Sequence, residues 1–419
     1  MKALCEIFRL ELTALVRSGT LALLTAVSVL WVLVFPFLAR GDGTAEGARE
    51  LYLRYSLGGV FALLVVCLLA SATGTLARER AAKRLQLTVV RPVRYSAIAL
   101  GKIAAHVLVG AVVLGLAALI VLFRTETDVR CSHVLAPVLP SPAEEAKLMY
   151  DTYMKDPSTP DEIRKAPKAA VLRLLTQRAI DHYQTISTNA VASWKFEGLE
   201  GLDGLSVRMR FTNQYEMRQD VAGTFRLGGL TGVVSNITQA VLTIPLKSGS
   251  GQGLAPGDVE LSFVNRGGHP VMFRPRKDLN LLVPADGFSA NLLRGYLVMV
   301  AVLAFVIAFG TFLSAALSRP VALFVAIVML LVSEMSPSVL EQYPDALETS
   351  RIDRIGLAMT RVAAELTHPI SSLSPLEALS KDECIEARLV GQAWAVDFLA
   401  LPLLFAFLAA FVLPRKQED

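Results

Sequence analysis

Charge is scarce in this 419-residue chain: Asp, Glu, Lys and Arg make up 19% of it, against about 25% in soluble domains. Neither sign dominates, with 41 Lys+Arg facing 37 Asp+Glu, so a net charge of +4 leaves no electrostatic footprint for nucleic acid. Four cysteines are too few for a disulfide scaffold and lack the spacing of metal ligands. The sequence contains no GxxxxGK[ST], so the chain is not expected to hydrolyse ATP, and HExxH and GxSxG are missing too. Its five histidines, His106, His133, His182, His269 and His368, are scattered. Cys131-Ser132-His133 offers two metal ligands side by side, but such lone pairs are usually not sites. No enzymatic activity, metal or cofactor of its own is expected. What is abundant is apolar: 53% of side chains, with a mean hydropathy of +0.49. That excess excludes intrinsic disorder and calls for a solvent other than water.

A bilayer core needs roughly 20 apolar residues in a helix. Six stretches approach that: Leu21 to Leu38, Ser56 to Thr75, Ile103 to Phe123, Tyr296 to Leu317, the shorter Val321 to Val332 after Pro320, and Ala393 to Leu413. The sequence predicts an α-helical membrane protein with six transmembrane helices. Arg78, Arg80, Lys83, Arg84, Arg91, Arg94 and Lys102 between spans two and three, Arg319 between four and five, and Arg415 and Lys416 after six all fall on one side if the spans alternate. The positive-inside rule makes that side the cytoplasm, with both termini inside a plasma (inner) membrane.

No small-residue cleavage site ends a short apolar core, so the N-terminus does not read as a signal peptide. Residues 1–19 instead place Met1, Leu4, Phe8, Leu12 and Leu15 at helical spacing opposite Lys2, Glu6, Arg9, Thr13 and Arg17. Such an amphipathic helix lies on the membrane interface or packs on another subunit. Residues 20–123 hold the first three spans with a cytoplasmic loop at 76–102; 291–335 hold spans four and five; 336–390 form an outer loop with short amphipathic helices, one through Ile355, Met359, Val362 and Leu366; 391–419 hold span six and a cytoplasmic tail.

Residues 124–290 read as an inserted extracytoplasmic α+β domain. Over 141–187 it is helical: Ser141-Pro142-Ala143-Glu144 and Thr159-Pro160-Asp161-Glu162 pair a capping side chain with a first-turn proline and a Glu three residues on. An apolar stripe of Val171, Leu174, Leu175 and Ile180 follows. Over 189–288 the period becomes two, as in Leu205, Val207, Met209 and Phe211, with glycine-rich joints between runs, which suggests an antiparallel β-sandwich. Trp194, Phe196, Phe225 and Phe273 are either core or a ligand platform, and core is the commoner fate of aromatics in strands. Cys131 and Cys384 both fall outside, where an oxidising compartment permits a disulfide between them.

The inner loop runs Glu79-Arg80-Ala81-Ala82-Lys83-Arg84-Leu85-Gln86 and on to Pro92 and Gly101-Lys102. Ala81, Leu85 and Val89 share one helical face, and Pro92 stops the helix. A short basic helix held between two spans either docks in a groove of a cytoplasmic partner and passes movement to both spans, or merely enforces topology against anionic lipid.

This loop resembles the signature of ABC type-2 transporter permeases, E-R-E-x-G-T-L-E followed by a proline and a G-K at the third span. Glu79 and Arg80 match the opening E-R, Leu85 the leucine, Pro92 the proline, and Gly101-Lys102 the G-K. Lys83-Arg84 stand where G-T is usual, and Gln86 where the second Glu is usual. The resemblance covers 1–123 and 291–419. It implies that Glu79, Arg80, Leu85, Pro92, Gly101 and Lys102 belong to the seat of an ABC ATPase subunit, to which the basic edge of the loop helix adds Lys83 and Arg84, that this separate subunit uses ATP and Mg2+, and that a second permease chain, identical or homologous, completes the path within membrane lipid.

The implied function is the membrane-spanning subunit of an ATP-driven exporter. Intramembrane ionisable groups are candidates for the translocation path by default, here His106 and Asp397, although either can snorkel or cap a helix. Two other readings stand beside it: a subunit that moves its outer domain mechanically without carrying a substrate, and an envelope anchor displaying a β-sandwich binding domain.

Overall fold

The computed structural model describes residues 2–38, 45–83, 93–125, 130–156, 159–160, 164, 166–180, 182–199, 204–212, 219–238, 241–248, 257–342, 358 and 375–415. The chain divides into two compact units, Met1–Cys131 with Asp286–Asp419, and Ser132–Ala285.

The first unit is helical. Helix α1 (Lys2–Arg17) is followed by α2 (Thr20–Leu38), α3 (Ala45–Ala81) and α4 (Tyr95–Arg124). After the second unit come α8 (Phe288–Ala316), α9 (Arg319–Gln342), α10 (Pro375–Ser380), α11 (Ala387–Ala393), a π-helical segment (Trp394–Ala400) and α12 (Leu401–Arg415). Among the described residues five helices are long and apolar enough to cross a membrane: Thr20–Leu38, Gly47–Ala81, Tyr95–Arg124, Phe288–Ala316 and Ala387–Pro414. The other expected span appears as an apolar helix over Arg319–Val332 that continues as helix to Gln342. The protein is thus a multi-pass membrane protein.

Helix α8 is the hub, with 83% of its apolar window buried, whereas α2 buries only 17%. Leu30, Phe37, Val66, Val112, Phe407 and Phe411 point outward from their helices. So much exposed apolar surface is unfavourable in water and natural in lipid. Helix α1 turns Leu4, Ile7, Phe8, Leu12 and Leu15 toward the bundle and leaves Lys2, Glu6, Arg9 and Thr13 exposed, as its period predicts.

Helices run past the stretches that hydropathy marks. Glu79 and Arg80 belong to α3 rather than to a loop, and Gly101-Lys102 lie two turns inside α4 rather than at its start. The expected inner loop of 76–102 therefore narrows to the residues after Ala81 and before Tyr95. Hydropathy misses these extensions because a helix leaving the bilayer changes its side chains and not its backbone hydrogen bonding. Lys83, exposed and at φ 55°, marks where α3 has ended. Arg84, Leu85 and Pro92, like the helix expected through Ile355 and Leu366, lie outside the described residues.

The second unit holds the α5–α6 pair, α5 at Pro142–Lys155 and α6 at Lys168–Ile180. The capping box before α5 is present: Glu144 N–H donates to Ser141 Oγ (3.2 Å), and Ser141 N–H to Glu144 Oε2 (3.0 Å). The Ser141 backbone N–H, helped by the Ser141 hydroxyl, holds the Glu144 carboxylate below the usual carboxylate range. Ala146, Val171 and Leu175 form the small core between the helices. Leu174, expected in that stripe, is exposed, because the stripe of the straight helix passes from Val171 to Leu175.

Three antiparallel sheets complete it. One orders β1-β11-β4-β7, with β1 Arg130–Leu135, β4 Ser206–Arg210, β7 Val241–Pro245 and β11 Leu279–Gly287. The second orders β3-β9-β5-β6-β8, with β3 Val191–Leu199, β5 Asp220–Leu227, β6 Leu230–Ile237, β8 Lys247–Ser248 and β9 Gly257–Asn265. The third pairs β2 (Gln184–Ile186) with β10 (Val271–Phe273). A short helix, α7 (Pro275–Asp278), leads into β11. Inward residues of all three sheets share one apolar core. Trp194, Phe196, Phe225 and Phe273 belong to it, with Trp194 meeting Phe273 edge to face at 5.2 Å, so they form no exposed platform.

Candidate functional site

One expected loop residue, Lys102, is a buried cation, and another, Glu79, pairs with it. Lys102, on α4, has a side chain only 5% exposed, and its Nζ donates to Glu11 Oε2 of α1 and Glu79 Oε1 of α3, each at 2.7 Å. An ammonium buried this far is tolerable only when paired, and here two carboxylates from two helices do so. Gly101 makes the arrangement possible. A Cβ there would lie 2.9 Å from Ile7 Cγ2 and 3.2 Å from the Phe8 nitrogen, so only glycine lets α1 settle this closely on α4.

One turn further along α4, His106 is buried beside Ser71 of α3. The Lys102 carbonyl can only accept, so His106 Nδ1 carries the hydrogen and donates to it (2.9 Å). Nε2 then accepts from the Ser71 hydroxyl at 3.0 Å. Both ring nitrogens are satisfied, which makes His106 a bracing residue between α3 and α4.

Arg80 reaches the end of α8: its guanidinium donates to the carbonyls of Ala315 (2.5 Å) and Leu317 (2.9 Å). Those carbonyls have no partner within the helix, and a cation there also complements the helix dipole. Ser314 Oγ accepts the Ala77 backbone N–H at 3.0 Å. The middle of α1, the last turns of α3, α4 two turns from its start and the end of α8 are thus joined by charge and hydrogen bonds on the side where the inner loop begins and ends. Of the expected site residues, Glu79, Arg80, Gly101, Lys102 and His106 come together here, and Lys83 is exposed nearby in sequence.

The opposite end of the bundle is braced differently. Cys131 and Cys384 form a disulfide, with Cα atoms 5.1 Å apart. Next to it, Arg49 of α3 donates to Asp382 Oδ1 (2.6 Å). Asn291 of α8 donates to the Glu383 carbonyl and accepts the Ile385 N–H, both at 2.8 Å. Arg294 pairs with Asp286 at 2.6 Å. The segment before the last span is therefore fastened to α3, α8 and Cys131 of β1. Both points where the chain passes to the second unit, Cys131 and Asp286, are tied down within the first.

Asp397 stands apart from both ends, buried in the π-helical segment of the last span.

Glu11, Ser71, Ser314, Arg49, Asn291 and Asp382 were not apparent as functional candidates from sequence. Glu11 carried a readable signal: it lies three residues from Phe8 and four from Leu15, an acid within the apolar stripe of α1. The others depend on tertiary pairing alone.

Among the described residues no group of three His, Cys, Asp or Glu is placed to hold a metal ion. The arrangement joins α1, α3 and α4 by ion pairs and α3 to the end of α8 by hydrogen bonds. Comparison of the chain with protein-family models, with curated proteins and with solved structures finds no match.

Proposed function

We propose that this chain is the membrane subunit of an ATP-driven exporter of the ABC type-2 kind. Separate ATPase subunits, using ATP and Mg2+, seat on the inner loop through Glu79, Arg80, Lys83, Arg84, Leu85 and Pro92, and a second permease chain completes the path. Six spans cross a plasma (inner) membrane. The sixth is supplied by α9, whose 24 residues rise about 36 Å. Both termini face the cytoplasm, the second unit lies outside, and its two larger sheets pack as a sandwich. The positive residues at the Lys102 end and the disulfide at the other support this orientation, since disulfides persist in oxidising compartments.

The observation that carries the reading is the Lys102 cluster. A loop flanked by Glu79 and Lys102 is wired directly to α1, α3 and α4, and through Arg80 to the hub α8. Movement of the loop by a partner therefore shifts these four helices together. ATP binding closes the partners, and alternating access follows from the differential affinity of two states. Glu79→Gln and Leu85→Asp should uncouple ATP hydrolysis from export while membrane insertion persists; unchanged activity in both variants would remove the coupling role.

A mechanical reading draws on the brace. Because both chain crossings to the second unit are anchored to the bundle, helix movement could be delivered to the outer domain with no substrate carried. Substrate-stimulated ATPase activity in reconstituted membranes favours export; its absence, with loop-dependent ATPase activity retained, favours mechanics.

A further inference from the structure

Asp397 is a buried carboxyl in the helical unit. Its residue is 2% exposed, it sits in the last span ten residues beyond Ala387, and its Oδ1 meets no hydrogen-bond donor among the described residues. The elements packed against its segment offer little to neutralise it. Helix α8 carries one basic residue, Arg294, which is engaged with Asp286 and the Ile385 carbonyl. Helix α11 carries Arg388, which is exposed, and α12 carries only Arg415, at its far end.

The backbone is unusual at the same place. Trp394–Ala400 is a π-helix within an otherwise α-helical span, and such insertions recur at functional sites. Trp394 and Phe398 stack at 4.2 Å, and Trp394 Nε1 donates to the Leu297 carbonyl of α8, which holds this wide turn against the hub. An ionised carboxylate surrounded by apolar side chains needs a positive partner at its oxygens. Aromatic rings and apolar helices supply none of the further oxygen ligands that a metal ion takes. A proton needs only the oxygen itself.

We propose that Asp397 is a proton-binding site inside the bundle, whose carboxyl is protonated while the bundle's apolar side chains enclose it and releases its proton only when water reaches the last span. This stands independently of the exporter reading, since it follows from the span alone.

Reaction with dicyclohexylcarbodiimide tests it. Only the protonated carboxyl reacts: its proton passes to a carbodiimide nitrogen, the carboxyl oxygen bonds to the central carbon, and an oxygen-to-nitrogen acyl shift leaves a stable N-acylurea. Nothing departs, so the peptide gains the whole mass of the reagent. With the full chain in lipid nanodiscs, the expected result is an adduct at Asp397 that declines as pH rises. Labelling should exceed that by a water-soluble carbodiimide on the order of tenfold, because the site is closed to water. Asp397→Glu should retain the adduct and Asp397→Asn should lose it. Failure of the lipophilic reagent to label Asp397 at any pH, or equal labelling by the soluble one, would overturn the proposal. Peptide mapping of the unaltered chain reads either result even if the variants do not fold.

Discussion

The two ends of the helical bundle solve the same problem by different means. At one end ion pairs join α1, α3 and α4 around Lys102, and hydrogen bonds from Arg80 and Ala77 add α8, all of which can exchange partners. At the other end Cys131–Cys384 adds a covalent tie to Arg49–Asp382 and the double bond of Asn291 to the chain before the last span. Under the proposed function the two ends do different work. A covalent brace gives a fixed pivot, and a cation shared between two carboxylates gives a joint that can loosen one contact while keeping the other. Proposed coupling at the first end and anchorage at the second follow from that asymmetry.

Several substitutions sharpen or break this contrast. Lys102→Met should have the largest effect, because it leaves Glu11 and Glu79 crowded without their cation; breaking a buried pair costs about 3–5 kcal/mol. Thermal unfolding in detergent should show the loss, and adding Glu11→Gln and Glu79→Gln to Lys102→Met should recover part of it. Cys384→Ser comes next. Removing a disulfide costs about 2–4 kcal/mol, and the same shift should follow a reductant applied to the unaltered chain. An insensitive melting temperature in both cases would mean that the non-covalent contacts alone fix this end.

Smaller effects separate the two carboxylates. Glu11 is 16% exposed and Glu79 34% exposed in their side chains. Glu11→Gln should therefore destabilise more than Glu79→Gln, each by about 1–2 kcal/mol, whereas export should suffer more from Glu79→Gln. Equal effects on stability and export would show that the site is a structural knot only. The smallest effect belongs to the braced end. Lys381, bonded to Glu377 at 2.6 Å, holds that carboxyl below its usual range. Its contribution is complete above the unfolded-state carboxylate value and fades as pH falls through the lower folded value. For an exposed pair the change is about 0.3–0.5 kcal/mol, and Glu377→Gln should flatten that acid limb of a stability–pH profile by no more.

Much of this architecture is legible in the sequence where the determinant is local. Charge-free runs mark the spans, the Ser141–Glu144 capping box marks α5, and period-two alternation marks the strands. The pairing of Cys131 with Cys384 needed only two cysteines placed on one side of a membrane. What escaped reading is set by tertiary structure. Helices α3 and α4 run beyond the apolar stretches, and hydropathy does not register polar helix. The Lys102 cluster joins residues separated by 91 and 23 positions, so the Gly101-Lys102 motif pointed to the place and not to the partners. The π-helix around Asp397 has no local signature, since Trp394–Ala400 contains neither glycine nor proline.

The coupling claim is tested most directly by purifying the tagged full-length chain from its native membrane in mild detergent and identifying what accompanies it. The account predicts a nucleotide-hydrolysing subunit in stoichiometric amount, lost when Leu85 is changed to Asp while the chain itself is recovered intact. Recovery of the folded chain with no such subunit, or with one that the Leu85→Asp change leaves in place, would contradict it.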